Sequence, residues 1–139
     1  MRVEIEFPVE FLVLGTPVSL QAKRRESIDQ WKTRIIDASR SILPEGHFAS
    51  ENPVAATLFY FPAAEMAGDI DNIVKPVLDA LGKHIYIDDR QVDRVLVQKF
   101  EPGNVFGFGS PSPTPQDALN RAKPILYIRL SDNPFEDLA

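Results

Sequence analysis

The residues of this chain best suited to chemistry stand between positions 69 and 89: Asp69, Asp71, Lys75, Asp79, Asp88 and Asp89. Asp69 and Asp71 lie two residues apart at the approach to a helix. In extended backbone both carboxylates would point to one side. Two carboxylates so placed repel each other unless a cation sits between them, and a helix N-terminus eases that repulsion. Lys75 follows Asp71 by four residues, so on a continuous helix the two share a face. Asp79, four further on, orients Lys75 or simply pairs with it, and pairing is the plainer role. Aspartates are hard oxygen ligands of the kind Mg²⁺ takes. A metal held by them could polarise a phosphoryl oxygen and activate water for phosphodiester hydrolysis. Lysine would offset the charge that builds on the phosphoryl oxygens.

Taken singly, each part has an ordinary explanation. Asp71 can be a helix N-cap and Asp69 a solvated loop residue. Asp88-Asp89 is common turn chemistry between apolar runs. Lys75 with Asp71 or Asp79 is an unexceptional surface pair. Only the ordered set, with three or four carboxylates and one lysine, describes a site.

Several elements must position that set. Val3, Ile5 and Phe7 alternate with Glu4 and Glu6, as in a half-buried strand, and Phe11 to Leu14 continues it beyond Pro8. Val18 to Glu26 reads as a loop or strand edge. A helix starts at Ser27, with Gln30 in capping-box spacing, and Ile28, Trp31, Ile35, Ala38 and Ile42 form its apolar stripe. Pro44-Glu45-Gly46 stops it. Trp31 is therefore a core residue. Val54 to Phe61 is a central strand. A second helix runs from Asp71 to Leu81, with Asp71 or Asn72 as N-cap and Val74, Val77, Leu78 and Leu81 facing inward. Pro76 kinks that helix or begins it, and Gly82 ends it. Ile85 to Ile87 and Val92 to Phe100 read as a hairpin around the Asp88–Gln91 turn. Residues 101–114, dense in Gly, Pro and Ser, form a long flexible loop. A short helix then runs from Thr114 to about Ala122, and Pro124 to Leu130 is the last strand. The acidic stretch 131–139 is a loose tail. The expected fold is α+β: one domain over 1–139, with two main helices on a mixed, largely antiparallel sheet.

Composition narrows the chemistry. With 139 residues, 44% of them hydrophobic, the chain can bury a core without covalent staples. It has no cysteine and only two histidines, His47 and His84, which removes thiolate and His-rich metal sites and leaves oxygen ligands. No apolar run is long enough to span a bilayer. The N-terminus lacks the basic and apolar regions of a signal peptide, so a cytoplasmic location is expected. A net charge of −5 argues against a nonspecific nucleic-acid coat, though not against a local basic patch. Lys23, Arg24, Arg25, Lys32, Arg34 and Arg40 could build one, interleaved with Asp29 and Asp37.

The stretch DIDNIVK, DAL, G and DDRQV, in this order, resembles the RusA-type endonucleases that resolve four-way Holliday junctions in DNA. Gly15, Pro17 and the basic run Lys23-Arg24-Arg25 extend the resemblance over roughly Gly15 to Phe100. It implies a RusA-like fold with Asp69, Asp71 and one of Asp88 and Asp89, preferably Asp89, as the metal-binding carboxylates. It also implies Lys75 as catalytic lysine, Asn72 at the helix entrance, and Mg²⁺ as cofactor with Mn²⁺ as a substitute. The implied protein is a homodimer whose two sites suit a two-fold junction, with Lys23, Arg24 and Arg25 on the DNA. Against the family pattern stand the acidic charge and the loop carrying Phe106 and Phe108, which could stack on unpaired bases or serve as a surface or dimer contact. Two alternatives differ in kind. One is a module of the same fold that binds branched or single-stranded DNA without cutting it. The other is a glycosyltransferase using D-x-D, disfavoured by chain length and by the lack of a recognisable nucleotide-binding βαβ unit.

Overall fold

The computed structural model describes residues 3–18, 25–66, 68–102, 114, 118 and 123–135. Four strands, β1 (Val9–Leu14), β2 (Val54–Phe61), β3 (Val92–Lys99) and β4 (Ile125–Ser131), form one sheet in the order β1-β4-β2-β3. β4 is antiparallel to both β1 and β2, whereas β2 and β3 are parallel. Two helices, α1 (Arg25–Ser39) and α2 (Asp71–Leu81), pack on the sheet, and the fold is α+β with a mixed, mostly antiparallel sheet.

Strand periodicity explains how the core forms. Alternate residues Val9, Phe11 and Val13 of β1 stand opposite Leu130, Ile128 and Leu126 of β4, which pair with Ala56, Leu58 and Tyr60 of β2. All nine are buried on one face, together with Trp31 and Ile35 of α1 and Ile73, Val77, Ala80 and Leu81 of α2. The other face carries a smaller cluster of Phe61, Ala118, Ile125 and Tyr127, with Phe59 and Phe100 stacked against it.

β2 and α2 keep their expected bounds, and Trp31 is in the core. Other elements differ. Residues 3–8 form no strand; Val3 only accepts a hydrogen bond from the Phe48 N–H, and the ladder starts beyond Pro8, which has no N–H to give. Ser27 is inside α1 rather than capping it, and Ile42 lies beyond the helix and is exposed. α2 runs through Pro76, which is buried in the core. Its inward residues are Ile73, Pro76, Val77, Ala80 and Leu81, while Val74 and Leu78 are only partly buried. No hairpin forms over 85–100. Residues 83–85 form a turn, and Tyr86 makes only isolated bridges to Ser50 and Gly82. The chain turns there, and β3 joins β2 in parallel by way of α2, since parallel neighbours need a crossover.

Of the short helix, Thr114 and Ala118 are described and helical. Lys23, Arg24, Phe106 and Phe108, most of the 101–114 loop and residues 136–139 lie outside the described residues. β4 extends to Ser131, and the Ser131 hydroxyl accepts from the Asn133 N–H in the turn that follows. Among the described residues no helix is long and apolar enough to cross a membrane.

Candidate active site

The parallel β2-α2-β3 crossover brings the two halves of the acidic motif together. A turn of 3₁₀ helix, Asp89–Gln91, leads directly into β3 and lies beside α2. From α2, the Lys75 ammonium donates to Asp89 Oδ2 at 2.9 Å and meets Asp79 Oδ1 at 2.7 Å. These two carboxylates, Asp79 first, raise the Lys75 pKa above the ordinary lysine range, so the side chain is a cation at any working pH. Asp79 Oδ2 also lies 4.0 Å from Lys32 Nζ on α1. Charges thus alternate Lys32, Asp79, Lys75, Asp89 across three elements.

Gln91 holds this turn in place. Its Oε1 accepts from the Ile87 and Asp88 N–H groups at 2.8 and 2.9 Å, and its Nε2 donates to the Ser50 and Asn52 carbonyls, both at 2.8 Å. Two accepted and two donated bonds exhaust the capacity of a primary amide. Asp88 completes a capping box: its Oδ1 accepts from the Arg90 N–H at 2.9 Å, and Arg90 Nη2 is 3.4 Å from its Oδ2. The backbone hydrogen bond and then the Arg90 side chain hold the Asp88 carboxyl below its usual pKa. Beneath the turn, the buried Tyr86 hydroxyl donates to the Leu78 carbonyl. Burial, and then the negative charges of Asp89 and Asp79, raise its pKa.

Asp69 and Asp71 stand at the other end of the helix, exposed, and their side chains have no hydrogen-bond or ion-pair partner among the described residues. Ile70 is the N-cap, with φ −65° and ψ −29° and no side-chain cap. The backbone between the two aspartates is therefore helical rather than extended, so the strand alternation that would align their carboxylates does not apply. Asn72 makes no cap either; its backbone N–H donates to the Asp69 carbonyl.

The four aspartates fit a divalent cation in kind, being exposed oxygen donors without histidine or thiolate. Among the described residues, however, no three His, Asp or Glu side chains come close enough to hold one ion. Lys75 and Asp89 are brought together, Asp88 is committed to its cap, and Asp69 and Asp71 pair with no cation among the described residues.

Of the basic patch, Arg25 opens α1 and is exposed. Arg34 donates to the Leu14 carbonyl at 3.1 Å and packs on Gly15, and Arg40 pairs with Asp37 at 2.9 Å. The role of Gln91 was not assigned from the sequence, although Asp88-x-x-Gln91 has capping-box spacing.

The family model for endodeoxyribonuclease RusA matches residues 15–105. The chain belongs to the RusA endodeoxyribonuclease family. A comparison with curated proteins finds no match.

Proposed function

We propose that this protein is a metal-dependent endodeoxyribonuclease that resolves four-way DNA junctions by phosphodiester hydrolysis, acting as a cytoplasmic homodimer in recombination and repair. The observation that carries this reading is the Lys75–Asp89 contact at 2.9 Å, which draws the D-x-D-N-x-x-K helix and the D-D turn of the motif onto one surface. Asp69, Asp71 and Asp89 would hold Mg²⁺, or Mn²⁺ in its place. Asp89 is preferred to Asp88 because both oxygens of Asp88 face Arg90. A cation there would supply positive charge at the phosphoryl oxygens. Lys75, freed from Asp89, would face the same charge with its ammonium. Lys23, Arg24 and Arg25 would follow the DNA backbone on the approach to α1.

The test is incubation of a labelled four-way junction with the protein and Mg²⁺. Paired nicks are expected, lost with EDTA and in Asp71→Asn, with the wild-type Mn²⁺ complex showing which carboxylates are ligands. Sedimentation should show a dimer. The second reading, a module that binds branched DNA without cutting, is favoured by the lack of any three-carboxylate group fit for a metal ion among the described residues. Retardation of the junction in a gel with no product at any Mg²⁺ or Mn²⁺ concentration would establish it and refute the nuclease.

A further inference from the structure

We propose that Lys32 and Lys75, one from each helix, form a paired ammonium site for a phosphate of the DNA backbone, and that Asp79 is the residue that positions both. The inference rests on the nuclease reading and adds to it a substrate contact on α1. Asp79 is shared, with one oxygen 2.7 Å from the Lys75 ammonium and the other 4.0 Å from that of Lys32. The first is a hydrogen bond. The second is too long for one. Among the described residues Lys32 donates no hydrogen bond, so its three N–H donors remain available. Its side chain is 30% exposed and that of Lys75 52%, so both side chains reach solvent.

The other cations of α1 and of the turn after it divide clearly. Arg34 is committed to the Leu14 carbonyl and Arg40 to Asp37. Arg25 and Lys32 remain, seven residues apart and so on one helix face. Asp89 completes the balance. While it rests on Lys75 the four charges cancel. Once it turns to a cation, Lys32, Asp79 and Lys75 are left with one net positive charge, and an oxyanion restores the alternation. A phosphodiester provides that oxyanion. As a stability element the Lys32–Asp79 pair counts for little, since such partly exposed ion pairs contribute about 0–1 kcal/mol. Removal of Lys32 therefore leaves the fold intact.

The test is the salt dependence of junction binding, read by fluorescence anisotropy in EDTA in an Asp89→Asn background, which removes the Asp89 charge from Lys75 as a cation would and cuts nothing. Asp89→Asn alone is the wild-type reference for the Lys32 and Arg40 substitutions. Each phosphate contact contributes about −0.9 to the slope of log affinity against log salt. Lys32→Gln should flatten the slope by that amount, so a fourfold rise in salt costs it about 3.5-fold less affinity than wild type. Lys32→Arg should keep the wild-type slope, and so should Arg40→Gln. A wild-type slope in Lys32→Gln overturns the inference, even if the thermal midpoint falls, because that marks Lys32 as a structural partner of Asp79 only. If wild type cuts the junction and the slope does not move, this inference alone fails. If wild type neither binds nor cuts it, the nuclease reading fails and takes the inference with it.

Discussion

Gln91→Leu should loosen the turn that carries Asp89, and the cost can be worked from the bonds it removes. Four hydrogen bonds disappear: two accepted from Ile87 and Asp88 and two donated to Ser50 and Asn52. A typical intramolecular hydrogen bond contributes a net ~0.5–1.5 kcal/mol. The bond to the Ser50 carbonyl is partly buried and belongs near the middle of that range. The other three are exposed, so water can replace them and each belongs near the bottom. The sum is about 2–3 kcal/mol. With a urea slope near 2–3 kcal/mol/M, the unfolding midpoint should fall by roughly 1 M. Gln91→Glu separates hydrogen bonding from shape, because it is isosteric. At neutral pH its carboxylate would face two carbonyl oxygens with nothing to donate, so it should be at least as damaging as leucine there. At acid pH the protonated carboxyl regains one donor and the gap from wild type should narrow. A midpoint unchanged in both variants, or a Gln91→Glu deficit that ignores pH, would refute the reasoning.

Three further outcomes follow from local geometry. Gly15 has φ +127°, and a Cβ there would stand 2.6 Å from Arg34 Nη1, so Gly15→Ala should cost about 1–3 kcal/mol in urea unfolding, from backbone strain and from displacement of the arginine. Lys83, not Gly82, takes the left-handed conformation, with φ 68°, so Lys83→Gly should raise stability by up to about 1 kcal/mol in the same assay. Burial first, then the charges of His47 and Arg40, lowers the His84 pKa from 6.5. Below that value the unfolded chain binds more protons than the folded one, so this stability is present above pH 6.5 and is lost as pH falls through the folded value. His84→Gln, which keeps a donor for the buried Ser39 hydroxyl, should flatten the slope of unfolding free energy between pH 5 and pH 7, two limits set by the usual range of about 5–8 for histidine switching.

The parts of the fold that could be read in advance are those in which local pattern and final environment agree. β2 is apolar on both faces because β3 and β4 flank it and side chains cover both sides, so its run from Val54 to Phe61 is continuous and its bounds are sharp. α2 keeps helical spacing to the glycine that follows it. Its inward face is rotated because Ile73 and Pro76 are buried while Val74 and Leu78 are only partly covered. The pairing of β3 could not be read, since an apolar strand after a turn looks the same whether its neighbour is the preceding segment or β2. Val3, Ile5 and Phe7 alternate correctly yet form no ladder, because alternation specifies a face and not a partner.

The site follows the same division. The order of Asp69, Asp71, Lys75 and Asp89 is a property of the sequence, but their mutual distances depend on the Ile70 backbone and on where the crossover returns. An extended Ile70 would have aligned Asp69 with Asp71. A helical one removes that alignment. The return of the crossover sets Asp89 against Lys75 and Asp79, and Gln91 fixes it there through the carbonyls of residues 50 and 52. Gln91 therefore links the acidic turn to the segment just ahead of β2, whereas Lys75 links it to α2. The first link is a saturated amide with four hydrogen bonds, one of them partly buried. The second is an exposed ion pair that solvent and salt weaken. The turn is firmly anchored through Gln91 and only lightly tethered through Lys75. Asp89 can thus change partner without the turn unfolding, which is what a carboxylate must do if it is to leave a lysine for a cation.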